Sequence, residues 1–266
     1  MNALLAAALF WPSPVRAEPA SEPGGGAAAA PPALSTAAAD FSSIDRLYLH
    51  RHEAGNLEGS IGLLEERLGR DSSESAALWR LGRALVRRGE KQISPGEKLA
   101  DFSKARDLID KSLSLEEKDT EANFWWGIAA GRWGQERGML RSLFLVGPIK
   151  KRMRRVLELD PGHGGAHHLL GELYRQLPGF AGGSKKKAVS EFEAAVRLSP
   201  RHTVNHTALG RALIEAGEKG KAGDALRNAF EVKDPDDPAE HGESLREARR
   251  MLEGLPPSIG RKDTTP

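Results

Sequence analysis

From Phe41 onward, apolar residues recur at helical spacing, and Gly, Pro or Asp clusters interrupt this pattern every fifteen to twenty residues. No stretch alternates apolar and polar residues over the length of a strand. The pattern predicts an all-α fold of successive helical hairpins over residues 41–255, with a short terminal helix near residues 239–253. Residues 18–40 are rich in Pro, Ala, Gly and Ser, which predicts a disordered linker. Residues 256–266 are expected to form a flexible tail.

An internal repeat sharpens this prediction. The second-helix pattern Ala188, Phe192, Ala195 and Pro200 recurs as Ala222, Leu226, Ala229 and Pro235. The offset from Ala188 to Ala222 is 34 residues, which is the tetratricopeptide period, and a small-large-small pattern before a proline is typical of the second helix of that repeat. The sequence is therefore identified as a right-handed solenoid of about five tetratricopeptide-type hairpins.

The first helices carry the other half of the repeat pattern. A large residue followed by glycine occurs at Leu81-Gly82, Trp126-Gly127, Leu170-Gly171 and Leu209-Gly210. The glycine lets the two helices of a hairpin approach closely. The intervals between these glycines are 45, 44 and 39 residues. The extra residues fall near 89–98, 135–148 and 178–183, between the helices of each hairpin, where insertions are expected to project from one edge.

Three segments carry a more specific resemblance. They are Trp125-Trp126-Gly127, residues 131–151 (GRWGQERGMLRSLFLVGPIKK) and residues 177–188 (LPGFAGGSKKKA). In this order they resemble the T-component family of tripartite ATP-independent periplasmic (TRAP) transporters, over roughly residues 100–235. The resemblance implies a periplasmic, all-helical protein without enzymatic activity, associated with the solute-binding subunit of an organic-acid transporter. Many such proteins look lipid-anchored, whereas residue 18 here is Glu, so no lipid can be attached at that junction.

The candidate binding residues are predicted to lie on the concave face of the array. Counting from the first-helix pattern places ten candidates for ligand or partner binding on this face: Trp79, Arg83, Arg87, Phe124, Ile128, Arg132, His168, Glu172, Arg175 and Arg211. Five arginines on one surface suit bidentate bonds to a carboxylate or a peptide C-terminus. The alternative is an ordinary charged helix face on which Glu172 and Glu215 neutralise their neighbours.

Composition and motifs exclude several function classes. Lys plus Arg total 39 against 37 Asp plus Glu, so the net charge of +2 provides no net field that would attract nucleic acid or a membrane surface. Cysteine is absent, which excludes disulfides and thiolate chemistry. No known catalytic motif occurs in its required context, so the sequence predicts no enzyme, cofactor or catalytic residue. The pairs His163/His167 and His202/His206 lie on helices whose axes are expected about 8 to 10 Å apart, too far for a shared ion, and no metal is predicted.

The N-terminus predicts export. Leu4 to Trp11 is a short apolar run, and Val15-Arg16-Ala17 fits cleavage after Ala17. The run is shorter than the roughly 20 apolar residues that a bilayer requires. Residues 1–17 are therefore interpreted as a signal peptide, and the mature protein is expected in the periplasm or secreted, without a stable membrane anchor.

Together these features predict a non-enzymatic repeat protein that binds a protein partner or an acidic small ligand. The T-component resemblance implies that the partner is a periplasmic solute-binding subunit. The alternative is a general envelope scaffold or assembly adaptor with no transport role. The sequence leaves the ligand and the oligomeric state open.

Overall fold

A computed structural model describes residues 40–256, apart from the side chains of Met139 and Leu140. The predicted signal peptide (1–17), almost all of the predicted linker (18–40) and almost all of the predicted tail (256–266) lie outside the described residues. Within residues 40–256 the regular structure is eleven α-helices and one 3₁₀ turn, without a strand. The predicted all-α class is confirmed.

The helices pair along the chain as five hairpins followed by one terminal helix. The pairs are α1 (Phe41–Leu49) with α2 (Asn56–Arg70), α3 (Ser75–Lys91) with α4 (Pro95–Leu115), α5 (Thr120–Glu136) with α6 (Met139–Leu159), α7 (Gly164–Gln176) with α8 (Lys185–Leu198), and α9 (Thr203–Ala216) with α10 (Lys219–Phe230). The terminal helix α11 (Pro238–Glu253) packs on α9 and α10. It takes the place that the first helix of a sixth hairpin would have.

The first-helix glycines act as the sequence predicts. A Cβ atom on Gly82, Gly127, Gly171 or Gly210 would come within 3 Å of a side chain on the second helix of the same hairpin. The partners are the buried side chains Ile109, Met153, Phe192 and Leu226. Each glycine therefore sets a close helix-to-helix distance, and the large partner fills the space that this leaves.

Two of the three insertions that were expected to project from one edge do not form loops. The extra residues near 89–98 and 135–148 instead lengthen the helices: α3 and α5 have 17 residues and α4 and α6 have 21, against 14 and 12 in α9 and α10. These residues continue the apolar periodicity, so they bury surface as extra helical turns. Only the segment between α7 and α8 is a projecting loop, and it contains the 3₁₀ turn Gly179–Ala181.

Candidate functional site

The first helices and α11 surround one cavity of about 920 Å³. Its lining contains as many basic as acidic side chains. The acidic ones are Glu90, Glu136, Glu172, Glu240, Glu243 and Glu247, and the basic ones are Arg51, Arg87, Lys91, Lys98, Arg132 and Arg211. Phe102, Val204 and Ala208 add apolar surface, and Ile93 is 92% exposed at the lining. The cavity can therefore contact both the charged and the apolar groups of a ligand.

Polar contacts join each first helix to the next first helix along the array. They are Arg83 with Asp45, Arg132 Nε with Glu90 Oε1 (2.7 Å), His163 Nε2 with Glu121 Oε1 (3.4 Å), His168 Nδ1 with Asn205 Oδ1 (2.8 Å), Arg211 Nη1 with Glu172 Oε1 (3.4 Å), and Arg211 with Glu247. Because each contact pairs residues 36 to 42 positions apart, these contacts recur with the hairpins themselves. They fix the curvature of the concave face.

The last helix also contacts the beginning of the array. Arg51, in the α1–α2 loop, donates from Nη2 to Asp237 Oδ2 (2.7 Å) and to Glu240 Oε1 (3.3 Å). Glu240 Oε1 also forms an ion pair with Arg87 Nη2 on α3, at 2.6 Å. Arg51 is only 5% exposed. The concave face is therefore closed into a ring of first helices, with these ion pairs as the closing contact.

Glu90 is a carboxylate of the ring that pairs with two arginines, Arg87 and Arg132. Burial alone would raise its pKa, but the guanidinium groups of Arg132 and Arg87 outweigh that effect and lower the pKa of Glu90 to about 2. Glu90 Oε2 accepts from Arg87 Nη1 at 2.9 Å. The carboxylate is therefore charged at any physiological pH and holds two arginines of neighbouring helices together.

A second buried group lies on α7. Glu172 is 2% exposed and contacts Arg175, Arg211 and Gln176. Burial would raise the pKa of Glu172, but Arg175, His168 and Arg211 lower it. Burial also lowers the pKa of His168 to about 4, so this imidazole is neutral at pH 7 and shares a hydrogen bond with Asn205.

Residues 40–179 match the family described as regulator of microtubule dynamics protein 1-3. This is more than half of the chain. The chain belongs to this family. The match covers α1 to α7 and ends in the 3₁₀ turn, so helices α9 and α11, which supply part of the cavity, lie beyond it.

One curated relative and two solved structures extend the comparison. Regulator of microtubule dynamics protein 3 of Rattus norvegicus is 24% identical over 142 residues, which is 53% of this chain and 30% of the rat protein. A thermophilic tetratricopeptide-repeat (TPR) protein of Thermus thermophilus superposes with a TM-score of 0.58 at 16% identity, covering 78% of this chain and all of that one. MamA of Desulfovibrio magneticus RS-1 gives a TM-score of 0.47 at 20% identity, covering 74% of this chain and 97% of that one.

These matches establish a tetratricopeptide-type helical repeat protein, and that part of the sequence prediction is confirmed. They do not support the resemblance to the T-component family of TRAP transporters, because the family match runs across the segments that carried it. Trp125-Trp126-Gly127 and residues 131–151 both lie inside residues 40–179.

Half of the predicted binding residues line the cavity of this family member. They are Arg87, Arg132, His168, Glu172 and Arg211. These five counted positions face the cavity because the helix register is regular from α3 to α9, and their role in binding stays a prediction. His168 and Glu172 differ from the expectation in being almost fully buried, at 5% and 2% exposed, since neighbouring helices cover them.

The other five lie outside the cavity lining. Trp79 is buried at 5% exposed, beside the guanidinium groups of Arg80 and Arg83. Phe124 packs against His163 at the start of α7, with ring centroids 4.6 Å apart, and Ile128 packs against the core. Arg83 and Arg175 point between helices, where Arg83 pairs with Asp45 and Arg175 with Glu172 and Glu215.

The five predicted arginines are not an open carboxylate clamp in this structure. Each of them contacts a carboxylate of the chain itself. Arg175 lies between Glu172 and Glu215, which is the pairing expected from the alternative of a self-neutralised charged face. An acidic ligand would therefore have to exchange with a carboxylate that is already bound.

Several residues of the cavity lining were not predicted from the sequence. Glu90 lies one turn beyond Arg87, where the counted positions end, and Glu240 and Glu247 lie on a helix regarded only as terminal. Their spacing of seven residues on one helix face was the available signal. Arg51 had no such signal, because its partners are 186 and 189 residues away.

The four histidines considered as metal ligands do not converge. His163 caps α7, His167 Nδ1 lies 2.7 Å from Glu191 Oε2, and His206 Nε2 lies 2.8 Å from the Pro200 carbonyl. Among residues 40–256, one different group, His50, His52 and Glu53, has potential ligand atoms within 4.8 Å of one another. None of the helices in the same range is both long and apolar enough to cross a membrane.

Proposed function

We propose that this protein is a non-enzymatic adaptor that binds a segment of a partner protein in the cavity of its helical ring. The observation that carries the proposal is the cavity of about 920 Å³, which is lined by equal numbers of acidic and basic side chains. Helices α3, α5, α7, α9 and α11 all contribute to it. Repeat arrays of this kind bind partners on such concave surfaces, and the cavity has both the polar groups and the apolar wall that a peptide requires.

The closing contact indicates what chemistry the segment has. Glu240 and Glu247 on α11 already bind Arg87 and Arg211. An acidic side chain of a partner could pair with the same guanidinium groups through charge-assisted hydrogen bonds. We therefore propose an acidic protein segment as the ligand, in preference to a small organic acid, because one carboxylate would leave most of the cavity unfilled.

Site-specific photocrosslinking tests the proposal even while the partner is unidentified. A photoreactive phenylalanine analogue replaces Ile93 in the cavity, and a matched replacement at Leu115, half exposed at the end of α4, serves as the control. We expect a discrete crosslinked protein from position 93 that position 115 does not capture. Capture at position 115 alone would place the binding surface elsewhere.

The captured segment is then measured as a synthetic peptide. Arg132→Ala should weaken its binding at least tenfold, because Arg132 is a charged residue of the lining, while Glu90 keeps its pairing with Arg87 and the fold is preserved. Arg197→Ala, at an exposed position of α8, is the matched control. An affinity that Arg132→Ala leaves unchanged would remove the cavity from the proposal.

A second candidate function follows from the family match alone. The family and the rat relative are described as regulators of microtubule dynamics, and residues 40–179 are the part of this chain that would confer such a role. Co-sedimentation with microtubules assembled from purified tubulin tests it directly. Protein that stays in the supernatant at micromolar tubulin would exclude this role for the chain alone.

We also propose export of the protein, on the basis of residues 1–17. The mass of the protein isolated from its native cells tests this, since cleavage after Ala17 removes the first seventeen residues. A role in organic-acid transport would rest on the T-component resemblance, which the family match does not support. An envelope scaffold or assembly adaptor agrees with the cavity and needs no transporter.

A further inference from the structure

A second surface lies outside the cavity, on α6, α8 and the 3₁₀ turn between α7 and α8. We call it the α6–α8 surface and define it by Phe144, Lys150, Lys151, Arg154, Phe180 and Lys187. None of these residues lines the cavity. The proposed partner segment in the cavity therefore does not account for them.

Two phenylalanine side chains project from this surface into solvent. Phe144 is 81% exposed and Phe180 is 92% exposed. Among the described residues they are the two aromatic side chains in the group of exposed large hydrophobics. Two aromatic rings in water lack the stabilisation that their burial would give. Their exposure therefore indicates a surface that a binding partner covers.

The backbone holds Phe180 outward. Gly182 follows the 3₁₀ turn with a φ of 88°, and a side chain on Gly183 would overlap the Leu177 carbonyl group. Ser184 N donates to Tyr174 O at 2.8 Å, and Gly183 N donates to Pro178 O at 3.0 Å. The turn is thus a hydrogen-bonded structure that presents Phe180, and both glycines are needed to form it.

Cations cluster on α6 and at the start of α8. With 100° per residue, Lys150, Arg154, Lys151 and Phe144 fall within an arc of about 120° on α6. Lys150 Nζ lies 4.5 Å from the Tyr174 ring centroid, and Lys187 Nζ lies 5.5 Å from the same centroid. Partial burial and the nearby charges of Arg154 and Lys187 lower the pKa of Lys150.

These cations differ from those of the cavity in having no carboxylate beside them. Every predicted arginine of the concave face pairs with Asp or Glu, whereas Lys150, Lys151, Arg154 and Lys187 form no ion pair with another described residue. Lys187 also lies in the first turn of α8, where positive charge opposes the helix dipole. Since none of the four cations is neutralised by a carboxylate of the described residues, their charge is available to an anionic partner.

We propose that the α6–α8 surface docks the protein onto an anionic lipid surface, with Phe144 and Phe180 entering the interface and the four cations contacting headgroups. Isolated aromatic side chains beside Lys and Arg are the combination that binds the boundary of a bilayer. None of these residues lines the concave cavity or the smaller pocket formed by the α1–α2 loop and the end of α3. A flat lipid surface suits such projecting side chains better than an acidic peptide, which would need a groove.

Vesicle co-sedimentation of the full chain tests the proposal. The probes are vesicles of phosphatidylcholine alone and vesicles with about one third phosphatidylserine, each at low and high salt. We expect binding to the anionic vesicles only, weakened by salt because the attraction is screened. Lys151→Glu with Arg154→Glu should reduce the binding at least tenfold, and Phe144→Ala with Phe180→Ala should reduce it several-fold.

Matched controls separate this surface from general effects. Lys118→Glu with Lys233→Glu changes the net charge equally at exposed positions elsewhere, and Leu115→Ala removes an exposed apolar side chain at the end of α4. Both should bind anionic vesicles as the unmodified protein does. Equal binding to neutral vesicles, equal loss in the controls, or no vesicle binding would each overturn the proposal. If the protein does not bind vesicles but binds polyglutamate through these same residues, the α6–α8 surface binds an acidic protein and not a lipid surface.

Discussion

Arg51 and Asp237 form an ion pair of 2.7 Å across 186 residues of sequence. Both side chains are largely removed from water, at 4% and 14% exposed. The contact joins the first hairpin to the last helix, so it stabilises the arrangement of the whole array and not one hairpin.

We expect Arg51→Met to lower the free energy of unfolding by about 3 kcal/mol, because it leaves Asp237 buried without its partner. Urea denaturation followed by circular dichroism measures this. The control is Arg201→Met, which removes ion pairs with Asp234 and Asp236 at a side chain that is 61% exposed. Its effect should stay below about 1 kcal/mol. Equal effects would show that the closing contact contributes no more than a surface pair.

Gly210→Ala should destabilise the protein by about 1 to 3 kcal/mol, because its new methyl group would collide with the fully buried Leu226. Gly220→Ala, in the neighbouring helix α10, meets no atom within 4 Å. That variant should be unchanged or more stable by up to about 1 kcal/mol, since alanine favours helix. The melting temperatures of the two variants, compared with that of the unmodified protein, test this prediction. A Gly210→Ala protein as stable as the Gly220→Ala protein would contradict the close approach of α9 and α10.

His168 should make stability depend on pH between about 4 and 6.5. Burial lowers the pKa of His168 to about 4 from its ordinary 6.5, so in this range the unfolded chain binds a proton that the folded chain does not. The stabilisation is complete above pH 6.5 and is lost as the pH falls towards 4, by up to about 3 kcal/mol. His168→Gln should flatten this part of the stability profile, as measured by denaturation at each pH. An unchanged slope would show that another group titrates there.

Glu90→Gln should cost about 3 kcal/mol at pH 7, because the neutral amide leaves Arg87 and Arg132 with less compensation in a buried site. The pKa of Glu90 is lowered to about 2 from an ordinary 4.5. Its contribution is therefore complete above pH 4.5 and is lost as the pH falls towards 2. The stabilities of the unmodified and variant proteins should converge on acidification through this range. A constant difference would indicate a packing effect in place of the ion pairs.

The hairpins could be predicted because their determinants are local. Gly82, Gly171 and Gly210 each face a large side chain of the same hairpin, within about 30 residues of sequence. The concave positions of Arg132 and Arg211 followed from the same register. A repeat pattern thus predicts which helices pair and which side each residue occupies.

The ring closure could not be predicted, because it depends on the curvature that accumulates over five hairpins. A small change in the angle between neighbours would separate Arg51 from Asp237 completely. The ion pairing of the arginines could not be predicted either. Arg132 and Arg211 pair with Glu90 and Glu247, and the proximity of these partners depends on the same curvature. The hydrogen bond of His168 with Asn205 joins two hairpins, and no local pattern reveals it.

The contact between the α1–α2 loop and the start of α11 also limits how this architecture changes over time. Open solenoids lengthen or shorten readily, because a duplicated unit only needs to match its two neighbours. Here an added or deleted hairpin would move Asp237 and Glu240 away from Arg51 and leave buried charges unmatched at both ends. The closing contact therefore ties this architecture to its present number of hairpins, so a change of binding specificity that keeps the ring intact is one made by substitution at fixed length.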